Sequence, residues 1–311
     1  MAGGGEHGTK AIVAAFFANL GIAVMKFLGF AFTGSGSMLA ESIHSVADAG
    51  NQGLLLLGGR RARRPATPEH PFGYGRERYF WSFIVALVLF SLGAGFSFYE
   101  GVKKLRDPHD IESPEWALGI LFGAILLEIY SFRTAIVEAN KVRGDAGWWE
   151  FVRHSKSPEL PVVLLEDLGA LLGLVLAFTA VTLAVVTDDT VWDALGTLSI
   201  GTLLAAIAII LAVEMKALLM GESATPQDQR RLREAIESEP DVVALIHMRT
   251  QHLGPDELLV GAKVQFDTTL SVAELAASID RVEASVRAAV PAARVMYLEP
   301  GVPRTVPGLE P

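Results

Sequence analysis

Hydrophobic residues along the 311-residue chain fall into long blocks, each about the length of a membrane-spanning helix. The blocks predict six spans, at residues 11–32, 37–60, 79–102, 116–137, 160–186 and 195–219. A short uncharged turn at 33–36 separates the first two, so we expect them to form an antiparallel hairpin. The pattern therefore predicts a six-helix transmembrane domain over residues 1–222.

The pattern after residue 222 is that of a small soluble domain, which we expect to end at residue 300. Thr225 and Pro226 are typical of a helix start, and Gly254-Pro255-Asp256 mark a turn. A second, amphipathic helix is predicted at 271–290. Strands are predicted at 242–251, 258–266 and 293–298. The order α-β-β-α-β indicates a ferredoxin-like α+β domain with its helices on one face of the sheet. Residues 301–311 are expected to be disordered.

Composition and charge narrow the function classes. The chain has no cysteine, which excludes disulfides and thiolate ligands, and its formal charge is −9, which argues against nucleic-acid binding. Basic residues are concentrated in the loops after the second and fourth spans, so the positive-inside rule puts both termini in the cytoplasm. We expect a multi-pass protein of a bacterial inner membrane.

The second predicted span carries polar residues on one face. They recur every three or four positions and are Glu41, His44, Asp48, Asn51 and Gln52. Ionisable groups at membrane depth cost a few kcal/mol each, so they persist where they face a cavity, a partner or an ion. His44 and Asp48 lie one turn apart and could bind one transition-metal cation together. The alternative is a polar contact between helices.

The fifth predicted span carries two adjacent acids, Glu166 and Asp167. On a helix they point about 100° apart, so they cannot both face one site without distortion. Gly169 and Gly173 follow with the spacing that permits a close helix partner.

Acids buried on two facing helices repel each other unless a cation or a proton lies between them. We therefore predict a cation site formed by His44, Asp48 and Asp167. Nothing in the sequence indicates catalytic residues or a cofactor, so the chain is not expected to be an enzyme.

The chain resembles the cation diffusion facilitators, a family of proton-coupled exporters of divalent metals. The resemblance is carried by HSVAD at 44–48, by HPFGYGR at 70–76, and by six spans followed by a ferredoxin-like domain. It extends from the first span to about residue 300. It implies a homodimer that alternates access to a tetrahedral metal site in the bilayer and exchanges metal for protons.

The chain departs from the family pattern in the fifth span. That pattern places two ligands four residues apart in the second and fifth spans; the first pair corresponds to His44 and Asp48. In the fifth span the carboxylate corresponds to Asp167, but Val163 occupies the position four residues earlier. The chain thus resembles a branch that lacks the fifth-helix histidine and includes zinc exporters of organelles. The candidates for the fourth ligand are Glu166, Asn51, Asn19 and water.

Further polar residues are secondary candidates. Glu41, His70 and Glu128 are candidates for the metal or proton pathway, and a loop-structuring role is the alternative for His70. Lys26 lies two turns from Asn19 on the first span and could snorkel or pair with an acid such as Glu41.

The resemblance also points to sites outside the bilayer. It suggests a dimer contact between Arg76 and Glu222. A second metal site in the soluble domain would use His247, His252 and Glu299, but Lys263 and Tyr297 stand where relatives place ligands.

These observations predict an exporter of Zn²⁺ driven by protons. One imidazole with carboxylates suits Zn²⁺, whereas the loss of an imidazole shifts preference toward Mn²⁺, Fe²⁺ or Co²⁺. The alternatives from other classes are a proton-coupled carrier of an organic solute and a non-transporting metal-sensing scaffold.

Overall fold

The computed structural model describes residues 4–33, 36–108 and 114–302. Within the first two helices, the side chains of residues 4–8, 10, 29, 30, 32, 33, 36–44 and 47 are outside this description. The predicted roles of the Glu41 and His44 side chains therefore lie outside the described residues. So do residues 34–35 of the predicted turn and residues 303–311 of the predicted tail.

Long helices occupy all six predicted spans. Their bounds are α1 Gly4–Thr33, α2 Gly36–Ala62, α3 Glu77–Val88, α4 Phe96–Arg106, α5 Pro114–Arg143, α7 Glu159–Thr187 and α8 Val191–Met220. A seven-residue helix that the sequence did not predict, α6 (Trp148–His154), precedes α7. A π-helical turn, Leu89–Gly95, joins α3 to α4, so the third span is one 30-residue helix with a wider turn in its middle.

Five helices in the described part of the chain are long and apolar enough to cross a membrane: Ala11–Leu28 of α1, Glu77–Arg106, α5, α7 and α8. α2 is not among the five, and Asp48, Asn51 and Gln52 are polar residues within its described part. It packs against α1 and α3 and completes the six-helix membrane domain. Of these three residues, Asp48 belongs to the predicted cation site.

Glycines bring α7 and α8 close together, as the spacing of Gly169 and Gly173 predicted. A Cβ atom added at Gly169 would lie 2.6 Å from Ile207 Cδ1, and one added at Gly173 would lie 3.7 Å from Ile200 Cγ2. The backbone of α7 can therefore approach the side chains of α8 at the level of Asp167.

The soluble domain has the predicted element order. It consists of α9 (Pro226–Glu237), β1 (Val242–Gly254), β2 (Glu257–Phe266), α10 (Val272–Ala289) and β3 (Val295–Pro300). β2 is the central strand, antiparallel to β1 and parallel to β3. Thr225 caps α9 by accepting a hydrogen bond from the Asp228 amide, and Pro226 is the first helical residue, as predicted.

One apolar core unites the sheet with both helices. Alternate residues of β2 from Leu258 to Phe266 are buried, which confirms the predicted half-buried strand. They pack in the same cluster as Leu232 and Ile236 of α9 and Val282 of α10. Both helices therefore cover the same face of the sheet.

The chain divides into two compact units. In the described residues, one comprises 4–64 and 77–216, and the other comprises 65–76 and 217–302. The loop at 65–76 thus belongs with the soluble part, where a Cβ atom at Gly75 would lie 2.7 Å from the Leu253 carbonyl oxygen. The domain boundary predicted at residue 222 stays a prediction.

Candidate cation site

The polar stripe of α2 is turned into the protein. Asn51 and Gln52 are buried, and Asp48, one turn earlier, is half-buried. His44 lies in the same helix, a further turn back, but its side chain is outside the described residues. The helix therefore brings one carboxylate and two amides to the interior of the membrane unit.

The two acids of α7 face different neighbours, as their 100° separation predicted. Glu166 accepts hydrogen bonds from Asn51 Nδ2 at 3.0 Å and from Gln52 Nε2 at 2.6 Å, so it faces α2. Asp167 accepts a hydrogen bond from Ser131 Oγ at 2.7 Å, so it faces α5. Both carboxyl groups are buried, and Asp167 is only 1% exposed.

α5 adds a third buried acid. Glu128, also 1% exposed, lies one turn before Ser131 on the same face of the helix. Its carboxyl group is within Coulombic range of Asp48, Glu166 and Asp167. The sequence suggested Glu128 for the metal or proton pathway, and the structure places it among the acids of α2 and α7.

α1 supplies a buried cation near these acids. The Lys26 ammonium group donates a hydrogen bond to Ser45 Oγ of α2 at 3.1 Å and is within Coulombic range of Glu128. Asn19 is buried two turns earlier on α1. The contact between Lys26 and Ser45 was not predicted, because Ser45 is uncharged and is not part of the polar stripe of α2.

Two amide oxygens complete the polar interior. Asn51 Oδ1 and Gln52 Oε1 are buried and, among the described residues, no donor reaches them. A buried acceptor without a donor is costly unless a proton or a cation approaches it. Gln52 is part of the predicted polar stripe but not of the predicted cation site. Its position next to Asn51 is the sequence feature that indicates it.

We call Asp48, Glu128, Glu166 and Asp167 the acidic cluster. Among the residues whose side chains the structure describes, no three histidine or acidic side chains converge closely enough to hold a metal ion together. The cluster is instead a set of repelling charges on three helices, linked by Coulombic interactions and by amide and hydroxyl donors. The repulsion in such a set is relieved when a cation or a proton lies between the carboxyl groups.

Val163 lies one turn before Asp167 and is fully buried. The position where the family pattern has a histidine is thus inside the protein and not on the lipid-facing surface. A valine there supplies no ligand, so the donors of this region are predominantly oxygen atoms.

The candidates His70, Arg76 and Glu222 lie in the unit that contains the soluble domain. The His70 ring packs against Tyr74, with centroids 4.6 Å apart, and the His70 amide hydrogen-bonds to Thr67. These contacts order the loop at 65–76. Arg76 and Glu222 are both half-buried, and their predicted contact across a dimer stays a prediction.

A lysine-glutamate pair occupies the sheet position considered for a second metal site. Lys263 Nζ lies 2.7 Å from Glu299 Oε1, and Lys263 is paired with His247 across the strands. The neighbouring Tyr297 is exposed. The lysine thus supplies a positive charge at the Glu299 carboxylate.

Comparison with known proteins gives the family of the chain. The family described as cation efflux transmembrane domain matches residues 12–220, and the cytoplasmic domain of cation efflux proteins matches residues 224–297. The chain is 38% identical over 247 residues to the human mitochondrial proton-coupled zinc antiporter SLC30A9, which covers 78% of this chain and 43% of the relative. It therefore spans less than half the length of that protein.

Two further relatives come from a plant and a bacterium. Metal tolerance protein C4 of Arabidopsis thaliana is 28% identical over 86% of this chain and 59% of its own length. The cation-efflux pump FieF of Pectobacterium atrosepticum is 26% identical over 93% of this chain and 91% of its own length. The family matches cover both parts of the chain, which therefore belongs to the cation diffusion facilitator family of metal-cation transporters.

Proposed function

We propose that the chain exports a divalent transition-metal cation, most readily Zn²⁺, in exchange for protons by alternating access. The observation that carries this proposal is the acidic cluster, in which four carboxyl groups on three helices interact within a membrane unit. Carboxyl groups that are buried close together repel one another when ionised, unless a cation or a proton lies between them. A transported cation that is exchanged for protons accounts for such a cluster.

His44, Asp48 and Asp167 are proposed as the metal ligands. A neutral imidazole nitrogen and two carboxylates suit Zn²⁺. Asp48 is the most exposed of the four acids, as expected for a ligand that contacts an access path. Both oxygens of Glu166 are engaged by amide nitrogens. We therefore assign Glu166 to positioning Asn51 and Gln52, and leave the fourth ligand position to Asn51 Oδ1 or water.

Proton coupling follows from ligand chemistry. A metal binds the deprotonated forms of histidine and aspartate, so metal and protons compete for the same groups. His44 is the proposed proton carrier, because an imidazole titrates near neutrality. The printed name of the human relative, a proton-coupled zinc antiporter, supports this coupling.

The proposed organisation is a homodimer in the membrane, with a transport domain at 1–222, a cytoplasmic domain at 223–300 and both termini in the cytoplasm. The match to the cytoplasmic domain of cation efflux proteins supports the dimer. The human relative is named mitochondrial and FieF comes from a bacterium, so these relatives do not point to one kind of membrane. A bacterial inner membrane stays a prediction.

A second candidate is an exporter of Mn²⁺, Fe²⁺ or Co²⁺ with the same fold. The observation that favours it is the prevalence of oxygen donors, with a valine at position 163 and amide oxygens of Asn51 and Gln52 facing inward. Oxygen donors suit harder cations than imidazole does.

Transport into vesicles tests both candidates. The purified chain is reconstituted into liposomes, a pH gradient is imposed, and uptake of Zn²⁺, Mn²⁺, Fe²⁺ and Co²⁺ is measured together with proton release. Zn²⁺ uptake that follows the gradient supports the proposal, and preference for another ion supports the second candidate. Absence of gradient-driven uptake for all four ions would contradict both.

A further inference from the structure

An arginine is fixed at the end of the fourth membrane helix. Arg143 is the last residue of α5, and the next residue, Gly144, has a φ of 57°, a left-handed conformation that ends the helix. The Ala146 amide then donates a hydrogen bond to the Arg143 carbonyl oxygen at 3.2 Å. This corner between α5 and α6 holds the Arg143 side chain beside the start of α6.

Three neutral groups contact the Arg143 guanidinium group. Its Nε atom donates to Asn140 Oδ1 at 2.6 Å, its Nη1 atom donates to the Ala146 carbonyl oxygen at 2.5 Å, and its Cζ atom lies 4.4 Å from the centre of the Trp148 ring. In the described part of the chain, no carboxylate forms an ion pair with it, Asp145 included. The charge is therefore positioned but not neutralised.

The remaining donors of Arg143 suit an oxyanion. Arginine carries five N–H groups, and the two hydrogen bonds use two of them. Both N–H groups of Nη2 and one of Nη1 make no hydrogen bond to any residue that the structure describes. Several donors on one planar cation match the oxygen atoms of a phosphate group.

The surroundings of Arg143 are those of a membrane surface. α5 has 30 residues and is about 45 Å long, so its ends extend beyond a hydrocarbon core of ~30 Å into the headgroup region. α6 buries Phe151 and Val152 but leaves Trp148 and Trp149 40% and 60% exposed. Exposed tryptophan rings favour the boundary between headgroups and acyl chains.

The other bases near this corner differ from Arg143. Lys141 pairs with Glu138, and Arg153, whose guanidinium group lies over Trp149, pairs with Glu214 at 3.2 Å. Arg143 combines an aromatic contact with a charge that no acid offsets. A headgroup with a net negative charge supplies that missing counter-ion, whereas a zwitterionic headgroup brings its own cation.

We propose that the corner formed by Arg143 and Trp148 binds the phosphate group of an anionic phospholipid. The acyl chains of this lipid lie along α5, where Val137 and Val142 are exposed. Arg143 follows Glu128 of the acidic cluster by 15 residues on the same helix, a distance of about 22 Å. The lipid site is thus separate from the proposed metal site and does not depend on metal transport.

Lipid titration of the purified full chain tests the proposal. The chain is delipidated in detergent, and native mass spectrometry measures the binding of phosphatidylglycerol and of phosphatidylcholine with the same acyl chains. The parent should bind phosphatidylglycerol about fivefold more tightly, the factor expected for one basic residue at an anionic membrane surface. Arg143→Gln should lose this preference. A parent without the preference, or a variant that keeps it, would overturn the proposal.

Arg106→Gln is the matched control. Arg106 is an exposed arginine at the end of α4, before α5 begins, so it lies at the opposite membrane surface from Arg143. Within the described residues, no aromatic ring contacts its guanidinium group. Arg106→Gln should keep the preference of the parent. An equal loss in Arg106→Gln and Arg143→Gln would indicate a general effect of charge and contradict a specific site.

Trp148→Leu tests the ring while the charge is kept. Without the indole ring the guanidinium group is held less firmly, so the affinity for phosphatidylglycerol should fall about twofold to fivefold. Because Arg143 and the end of α5 stay intact, this variant keeps the test decisive if Arg143→Gln does not fold. Unchanged affinity in Trp148→Leu would overturn the proposed site.

Inorganic phosphate and a second copy of the chain are the alternative occupants. A large excess of inorganic phosphate should not displace phosphatidylglycerol, because it has no acyl chains to contact α5. Complete displacement would reveal an ion site in place of a lipid site. Light scattering should give the same oligomeric state for the parent and Arg143→Gln. Dissociation of the variant would show that the corner is an interface between copies, and would also overturn the proposal.

Discussion

The membrane unit and the soluble unit bury different kinds of side chain. The membrane unit buries acids, amides and a lysine, among them Lys26, Gln52, Glu128, Glu166 and Asp167. The core of the soluble unit is an apolar cluster of leucine, isoleucine, valine, alanine, methionine and phenylalanine, and its hydrogen-bonding helix caps lie around that core. Besides its apolar residues, the membrane unit thus buries side chains whose desolvation is costly, and the core cluster of the soluble unit contains none of these.

The difference separates residues that serve function from residues that serve folding. A buried carboxylate costs several kcal/mol in effective desolvation, so its presence in a membrane helix requires a compensating gain. In the soluble unit, burial of apolar side chains is itself the gain. Removing a buried acid from the membrane unit should therefore impair transport more than stability, and removing a buried apolar residue from the soluble unit should do the reverse.

The largest expected effect is the loss of transport on removing an acid of the cluster. Asp48→Ala and Asp167→Ala should each lower Zn²⁺ flux in proteoliposomes by about 100-fold or more. Losing a residue that only hydrogen-bonds to a metal ligand already lowers metal affinity or activity by about 10- to 100-fold. Folding and dimerisation should be largely retained. Asp193→Ala, which removes an acid paired with Lys104 outside the cluster, is the control and should keep its flux. Near-normal flux in either cluster variant would exclude it from the site.

The second prediction concerns a buried apolar residue of the soluble unit, whose loss should lower stability more than transport. Ile236 is fully buried in the core of the soluble unit, so Ile236→Ala should lower the free energy of unfolding of that unit by about 2–5 kcal/mol. Ile236→Val, which removes one methylene, should cost about 0.5–1.5 kcal/mol. Hydrogen exchange of the full chain, followed in peptides of α9 and β2, measures both. Equal protection in parent and Ile236→Ala would show that this core does not stabilise the unit.

The same contrast explains what could be predicted from the sequence. The strands and helix caps of the soluble unit followed from local patterns: the alternation of Val260, Ala262 and Val264, and the Thr225-Pro226 start, need no knowledge of distant residues. The membrane helices followed equally well from length and hydropathy. The π-helical turn was missed, because its wider hydrogen-bonding pattern leaves no periodic signal within a uniformly apolar block.

The partners of the acids could be predicted only in part. Helical geometry gave the separate directions of Glu166 and Asp167, but which helix each would face depends on tertiary packing. The contacts that decide it, Asn51 and Gln52 with Glu166, and Ser131 with Asp167, join residues 36 to 115 positions apart. No spacing rule reaches across such distances. Residue types alone do not determine these pairs.

The third prediction tests whether position 163 belongs to the site. Val163→His would place an imidazole one turn before Asp167, so it should tighten Zn²⁺ binding about tenfold relative to Mn²⁺, since zinc favours imidazole ligands more strongly. Without metal the variant should lose about 1–3 kcal/mol of stability, because a polar ring has replaced a buried valine. Calorimetry with both ions and melting temperatures with and without Zn²⁺ measure these effects.

Val162→His is the matched control for position 163. Val162 is as buried as Val163 but points about 100° away on the same helix. Its histidine should destabilise the protein without rescue by Zn²⁺. If Zn²⁺ rescues neither variant, or both equally, the alignment of α7 with the family pattern is wrong.

The smallest effect is expected at a surface helix cap of the soluble unit, where an acid acts on folding alone. Ser271 and Glu274 form a capping box at the start of α10: Glu274 Oε2 accepts hydrogen bonds from Ser271 Oγ at 2.6 Å and from the Ser271 amide at 2.8 Å. The side-chain bond, and then the backbone bond, hold the pKa of Glu274 below its ordinary value. These bonds favour the ionised form, so the stability that they add is present above the unfolded pKa, about 4.3, and is lost as the pH falls through the folded pKa.

Two variants should therefore respond differently to pH. Glu274→Gln should weaken the hydrogen-exchange protection of α10 at pH 7 but match the parent at low pH, where the parent carboxyl group is protonated as well. Ser271→Ala should weaken α10 at both pH values, because Ser271 Oγ also accepts the Glu274 amide, a bond that does not titrate. Exchange is compared between parent and variant at the same pH, in peptides that span residues 272–289. A deficit in Glu274→Gln that is as large at low pH as at pH 7 would show that the ionised carboxylate adds nothing to this cap.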